Sequence, residues 1–157
     1  VLAYLQFFYS PLTNELEFFG VDQRHESDIE GLGRIPAEQQ LKSNKVPSFN
    51  VIGNSPLVLR ESLLDEVYTM GENFVEAAKR VVSPGMNGPF CIEGVYDENA
   101  KFTSFEFSAR IVAGTNIYMD GSPYYSLLFN ENMSMGKRIA REVKIAESKN
   151  MIEKIVT

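Results

Sequence analysis

The stretch VLAYLQFFYSPLTNELEFFGV, residues 1–21, holds two apolar runs separated by a polar turn. Val1–Tyr9 and Glu15–Val21 are rich in aromatic and branched residues, which favour strands, and Ser10–Asn14 has the proline and small polar residues of a turn. The stretch therefore predicts a β-hairpin. Because the chain opens inside this strand without a methionine, we expect residues 1–157 to be the carboxyl-terminal part of a longer polypeptide.

A polar segment and a short strand follow the hairpin. Residues 22–47 have few apolar residues and several glycines and prolines, which predicts a long loop, and loops of that length are often functional. Ser48–Ile52 predicts a third strand. Gly53–Pro56 has the composition of a turn that closes it.

A long amphipathic helix comes next. Apolar residues recur at three- and four-residue steps from Leu63 to Val81, which predicts one buried helix face. Two starts are open: Ser55–Pro56 offers an N-cap with a first-turn proline, and Ser62–Asp65 offers a capping box. The helix is predicted to end before Pro84, which cannot continue the hydrogen-bond ladder.

A second hairpin and a last helix complete the pattern. Phe90–Tyr96 and Phe102–Ala113 predict two strands, residues 114–133 predict a loop, and Ser134 predicts the cap of a final helix. In that helix Arg138 is predicted to lie on the solvated face. The order of hairpin, strand, helix, hairpin and helix predicts an α+β fold with a largely antiparallel sheet.

Composition restricts the class of protein. The chain has 157 residues, 44% of them hydrophobic, as expected for one globular domain. With 15 Lys and Arg against 21 Asp and Glu, its net charge of −6 argues against nucleic acid as a partner. No apolar stretch is long enough to span a membrane. The single cysteine, Cys91, forms no disulfide within the chain, which fits a cytoplasmic location, and its apolar neighbours predict a core residue.

The strand Phe102–Ala113 carries the chemistry that stands out in this sequence. Its period of two separates an apolar side from a polar side, and the apolar side is expected to be a core face. The polar side could simply meet water, as many half-polar strands do. The apolar set is Phe105, Phe107, Ala109 and Ile111, and the polar set is Ser104, Glu106, Ser108 and Arg110.

Glu93, on the preceding strand, can share the polar side with Glu106. If the two residues are directly opposite, their Cβ atoms lie about 5 Å apart, and if Glu93 faces Ser104, the carboxylates lie diagonally at roughly 7–8 Å. Close carboxylates repel unless a cation lies between them. Mg²⁺ typically takes one or two carboxylates plus substrate phosphates, and Arg110 could contact phosphate oxygens. The spacing alone is compatible with a metal–phosphate site and equally with a strand face that simply meets water.

The segments GPFCIE (88–93) and FEFSAR (105–110) resemble the metal-binding hairpin of ATP-grasp ligases. In that superfamily an acidic residue on one strand is followed by a strand reading Glu-x-Asn-x-Arg. The resemblance implies that Glu93 and Glu106 hold Mg²⁺ or Mn²⁺ on the ATP phosphates. It also implies that Arg110 contacts a phosphate or the reaction intermediate. Ser108 stands where the common residue is Asn.

Longer strings are similar to one archaeal family of ATP-grasp formate ligases in purine (IMP) biosynthesis: residues 7–28, 53–64 and 105–124. The resemblance implies ATP- and formate-dependent formylation of 5-aminoimidazole-4-carboxamide ribonucleotide through formyl phosphate. It further implies that Glu26 contacts ATP and that Asn54 contacts the ribonucleotide. We expect the 157 residues alone to be inactive and the enzyme to be a homo-oligomer.

Other interpretations stay open. Asn54 could be only a turn or capping amide, and Glu26 only a solvated carboxylate beside Arg24. The domain could be a non-catalytic ligand-binding or oligomerisation module, with an uncovered edge of the first hairpin as its subunit contact. Alternatively, the ligase could use another small acid or amine.

Overall fold

The computed structural model describes residues 1–156 and contains a five-stranded sheet in which every neighbouring pair is antiparallel. The spatial order is β3-β2-β1-β4-β5. The strands are β1 (Leu2–Ser10), β2 (Glu15–Glu26), β3 (Val51–Leu57), β4 (Gly88–Tyr96) and β5 (Phe102–Ser108). The α+β class with an antiparallel sheet is therefore confirmed.

Five α-helices and three short 3₁₀ turns connect and cover the strands within residues 1–156. The helices are α1 (Ile29–Leu32), α2 (Ala37–Ser43), α3 (Leu64–Val81), α4 (Pro123–Phe129) and α5 (Met135–Ser148). The 3₁₀ turns are Glu61–Leu63, Ala113–Tyr118 and Ile152–Lys154. No helix among the described residues is long and apolar enough to cross a membrane.

The two faces of the sheet are covered differently. Helix α3 packs on one face, where Val67 and Val75 join the main apolar core around Phe7 and Phe90. On the other face, α4, α5 and the turn Ala113–Tyr118 bury a smaller aromatic cluster. That second layer covers mainly one end of the strands, and polar side chains occupy the other end.

The first hairpin forms as predicted, and further strands pair with it on both sides. β1 pairs with β2 on one side and β4 on the other, and β2 pairs with β3. β3 covers only residues 21–26 of β2, so residues 15–20 have no strand partner on their outer side among the described residues, and a subunit contact at this hairpin edge stays a prediction.

The long loop predicted for residues 22–47 is wrong in part. β2 continues to Glu26, and α1 and α2 lie in the segment that follows. Gly53–Pro56 is not a turn, since these residues lie inside β3 and pair with β2. Pairing with β2 outweighs local turn propensity here, and a proline is tolerated because β3 is an edge strand.

The predicted helix is present, and its carboxyl end is confirmed at Val81. Its start matches neither predicted cap. A 3₁₀ turn, Glu61–Leu63, leads into Leu64, and no side chain caps the first turn. The predicted cap of the last helix is confirmed, since Ser134 Oγ accepts a hydrogen bond from the Lys137 amide at 3.2 Å.

β5 is shorter than predicted, and its apolar side is not a core face. The strand ends at Ser108, and Phe105 and Phe107 are each 57% exposed. β5 is an edge strand, and the ring of Phe107 packs against Phe74 of α3, with the ring centroids 4.9 Å apart. Residues 114–133, predicted as a loop, contain most of a 3₁₀ turn and α4.

Candidate active site

Four side chains form a row across the open end of the sheet. Asp22 on β2 is opposite Tyr4 on β1, Tyr4 is opposite Glu93 on β4, and Glu93 is opposite Glu106 on β5. Residues directly opposite on neighbouring strands point to the same face. The row therefore places three carboxyl groups and a phenol on one surface, next to the helical layer.

Glu93 and Glu106 are direct cross-strand neighbours, so the closer of the two predicted registers is confirmed. Glu93 is 3% exposed, whereas Glu106 is exposed to solvent. Burial raises the pKa of Glu93, and the negative charge of Glu106 raises it further. The Ser108 hydroxyl donates to Glu93 Oε1 at 3.0 Å and opposes that rise. The register shifts immediately after Glu93, and this irregularity interrupts the regular pairing beside the two carboxylates before it resumes at Gly94.

Arg24 supplies positive charge to this surface. Its Nη1 lies 3.6 Å from Glu93 Oε2, and its guanidinium lies 4.0 Å from the centroid of the Tyr4 ring. Burial raises the pKa of Tyr4 to about 12, while the Arg24 charge acts in the opposite direction. The phenol therefore stays neutral at physiological pH and offers a face on which the cation rests.

Asp22 lies at the centre of a second group of polar side chains. It is 1% exposed, and burial raises its pKa. Gln6 Nε2 donates to Asp22 Oδ1, and Asn54 Nδ2 donates to Asp22 Oδ2 at 2.6 Å. The backbone of Gly114 lies so close that a methyl group there would overlap the Asp22 carboxylate. Gln6 Oε1 is buried and has no hydrogen-bond partner among residues 1–156.

The structure brings four of the five predicted site residues to this face. Glu93 and Glu106 are adjacent, and Asn54 joins them through Asp22. Glu26 is the last residue of β2, and its charge is one of those that raise the pKa of Tyr4. Arg110 lies two residues beyond the end of β5, is exposed, and donates to the Ile111 carbonyl at 2.9 Å. Its predicted place on the strand is wrong, and its role stays a prediction.

Sequence reasoning missed Tyr4, Gln6, Asp22 and Arg24. Alternation in β1 could have revealed Tyr4 and Gln6, because both are even-numbered residues on the same side of that strand. Asp22 and Arg24 could not be placed on this face because residues 22–47 were predicted to form a loop, whereas β2 continues to Glu26. Arg24 pairs with Glu93 rather than with its sequence neighbour Glu26.

The carboxylate pair fits a hard divalent cation that is shared with a substrate. Within residues 1–156, no group of three or more His, Cys, Asp or Glu side chains is arranged to hold a metal by itself. Mg²⁺ does not need such a group, since it usually binds through one or two carboxylates and completes its shell with phosphate oxygens and water. Glu93 and Glu106 would be the protein ligands, and Ser108 would orient Glu93.

Comparison with known proteins identifies the family. Residues 1–157 match the family described as "Domain of unknown function (DUF1297)", and the chain belongs to it. The chain is 87% identical over 157 residues to a Nitrosopumilus maritimus protein named "5-formaminoimidazole-4-carboxamide-1-(beta)-D-ribofuranosyl 5'-monophosphate synthetase". A protein of the same name from Archaeoglobus fulgidus is 50% identical over 153 residues.

A solved structure shares the fold. The crystal structure of "an IMP biosynthesis protein PurP" from Thermococcus kodakaraensis matches with a TM-score of 0.81 and 34% identity, over 100% of this chain and 49% of that one. The two named relatives are covered over 46% and 43% of their lengths, and this chain over 100% and 98%. The chain thus spans about half the length of these relatives. The predicted resemblance to archaeal enzymes of purine biosynthesis is confirmed.

Proposed function

We propose that this chain is the carboxyl-terminal part of an ATP-grasp ligase that formylates 5-aminoimidazole-4-carboxamide ribonucleotide with ATP and formate. The names of the relatives give the formylated ribonucleotide as the compound synthesised, which supports the corresponding amine as substrate. The observation that carries the proposal is the direct pairing of Glu93 with Glu106 on the open face of the sheet. A protein that needed this face only for packing would gain nothing from two adjacent carboxylates.

The reaction has two steps. A formate oxygen attacks the γ-phosphorus of ATP, the bond to the bridging oxygen breaks, and ADP leaves. The exocyclic amine of the ribonucleotide then attacks the carbonyl carbon of formyl phosphate, loses a proton, and expels phosphate. Both steps depend mainly on positioning and charge neutralisation, so no protein nucleophile is required.

The polar surface supplies that positioning. Glu93 and Glu106 would hold a Mg²⁺ or Mn²⁺ ion, which would supply neutralisation of phosphate charge when bound. Ser108 and Arg24 orient the buried Glu93 carboxylate from two sides. Arg110, exposed beyond β5, contacts phosphate oxygens.

Substrate contacts extend along β2 and β3. Glu26 at the end of β2 contacts ATP, and Asn54 contacts the ribonucleotide. The remaining half of the relatives' length supplies the rest of the nucleotide site, so residues 1–157 alone are inactive. The cytoplasmic location and the homo-oligomeric assembly stay predictions.

The proposal is tested by measuring ADP release from the complete polypeptide with the divalent cation, ATP, formate and the ribonucleotide, omitting each in turn. Release that requires all four supports it, and Glu106→Gln should then abolish turnover while the fold survives. The exposed Glu98, in the turn between β4 and β5, gives the matched control Glu98→Gln, which should keep full activity. Release that is independent of formate, or full turnover by Glu106→Gln, would contradict the proposal.

A further inference from the structure

We infer that Asp22 is a positioning residue that fixes the side-chain amide of Asn54, so that Asn54 presents its carbonyl oxygen to an N–H group of the ribonucleotide. The inference rests on the proposed function for the identity of the ligand. It assigns a role to a buried side chain that the proposed reaction does not itself use.

The orientation of Asn54 follows from the chemistry of its partner. An ionised carboxylate has only acceptor oxygens, so an amide that meets it must turn its NH₂ group toward it. Asn54 Nδ2 lies 2.6 Å from Asp22 Oδ2. Asn54 Oδ1 therefore points away from Asp22, and within residues 1–156 no side chain or backbone group donates to it.

Asp22 itself is held in place by two groups besides Asn54. Gln6 donates to its other oxygen, and the Gly114 backbone fills the space behind the carboxylate. At 1% exposure, Asp22 has no room to rotate toward solvent. A carboxylate fixed in this way transmits its orientation to Asn54, which is half-buried on the edge strand β3 and open on its other side.

The oxygen that Asn54 presents selects for a donor. A neutral carbonyl oxygen accepts N–H groups, and the proposed ribonucleotide carries them on its exocyclic amine and its carboxamide. If Asn54 were free to flip, it would offer NH₂ to those groups in half of its orientations, and the hydrogen bond would be lost there. Asp22 removes that alternative.

The test compares Michaelis constants in the complete polypeptide. In Asp22→Asn, the new amide keeps its oxygen toward the NH₂ group of Gln6 and turns its own NH₂ group toward Asn54, so Asn54 flips and presents NH₂ to the ligand instead of its oxygen. We expect the KM for the ribonucleotide to rise about tenfold, the loss of one good hydrogen bond, while the KM for ATP stays unchanged. Asn54→Ala should raise the KM for the ribonucleotide by about the same factor in the wild-type background. In the Asp22→Asn background it should not raise that KM further. An unchanged ribonucleotide KM in Asp22→Asn, or losses that simply add, overturns the inference.

Glu17→Gln is the matched control. Glu17 is also a buried carboxylate on β2, but it pairs with Arg138 at the other end of the strand. Its substitution should lower stability and leave the ribonucleotide KM unchanged. A rise equal to that of Asp22→Asn would mean that Asp22 acts only through stability, which overturns the inference.

A spectroscopic measurement separates this inference from the proposed function. In ¹⁵N-labelled wild-type polypeptide, the Asn54 side-chain amide protons should exchange slowly with solvent because they are bonded to Asp22, and Asp22→Asn should speed that exchange. Absence of turnover with the ribonucleotide would refute the proposed function alone. Fast exchange of the Asn54 amide in the wild type would overturn the positioning role whatever the enzyme's substrate, and whether or not Asp22→Asn folds.

Discussion

Gly114 shows how closely the polar site is packed at the scale of single residues. It lies in the 3₁₀ turn Ala113–Tyr118, which follows β5 in sequence, and its backbone lies against the carboxylate of Asp22. Gln6 and Asn54 hold that carboxylate from the other directions. Because the interior is close-packed, even one added methyl group must displace a hydrogen-bonded side chain or the backbone.

Gly114→Ala should therefore lower the free energy of unfolding by about 1–3 kcal/mol, as expected for overpacking a tight site. The control is Gly31→Ala in α1, where an added Cβ meets no atom within 4 Å. That change should alter the free energy by roughly 1 kcal/mol or less, in the stabilising direction. Urea unfolding of the three proteins measures both, and equal effects of the two substitutions would contradict the packing described for Gly114.

Alternation along a strand predicted that two carboxylates share one face but left two pairing registers open. Glu93 and Glu106 fall on one face by period alone, and the hydroxyl of Ser108 lies beside them. The partnership of Asp22 with Gln6 and Asn54 could not be found in this way. It depends on pairing β2 with β1 and β3 in a particular register, and local sequence does not specify that register.

At the scale of the secondary-structure elements, helix α5 is joined to the sheet by a buried ion-pair network. Arg138 Nη2 lies 2.7 Å from Glu17 Oε1 on β2, and its Nη1 lies 2.7 Å from Glu142 Oε2 on the same helix. Ser10 Oγ donates to Glu142 Oε1 at 2.6 Å. The guanidinium also rests over the ring of Phe8 at 4.2 Å. The prediction that Arg138 is solvated is therefore wrong.

Removing this arginine should be costly because it leaves two buried carboxylates without a counter-charge. Arg138→Met is expected to lower the free energy of unfolding by about 3–5 kcal/mol. Arg141→Met is the matched control on the same helix, since Arg141 is 47% exposed and pairs with the exposed Glu131. Its loss should cost about 1 kcal/mol or less. Comparable losses in chemical denaturation would contradict a structural role specific to Arg138.

The sequence pattern predicted the existence of α5 and its cap but not the face that Arg138 occupies. A basic residue one helical turn from Glu142 is typical of a solvated helix surface. Only the position of Glu17, 121 residues earlier in the chain, makes that surface an interior one. Element type was thus predictable from local periodicity, whereas the burial of polar residues required knowledge of long-range partners.

At the scale of the whole molecule, the two faces and the two ends of the sheet have different roles. One face packs against α3 and forms the main core. The other face carries the helical layer at one end and the polar row from Asp22 to Glu106 at the other. The edge strand β5 contributes Glu106 to the row, places the Ser108 hydroxyl on Glu93, and exposes the side chains of Phe105 and Phe107. This arrangement leaves Glu106 exposed to solvent directly beside the buried Glu93.

Mn²⁺ binding measured by electron paramagnetic resonance, in the complete polypeptide with a non-hydrolysable ATP analogue, tests the metal-binding role of this pair most directly. Wild type and Glu98→Gln should bind the ion equally. Glu93→Gln and Glu106→Gln should each weaken binding by about tenfold or more, because each removes one of two protein ligands. Unchanged Mn²⁺ affinity in both ligand variants would contradict the assignment of Glu93 and Glu106 as the metal-binding residues.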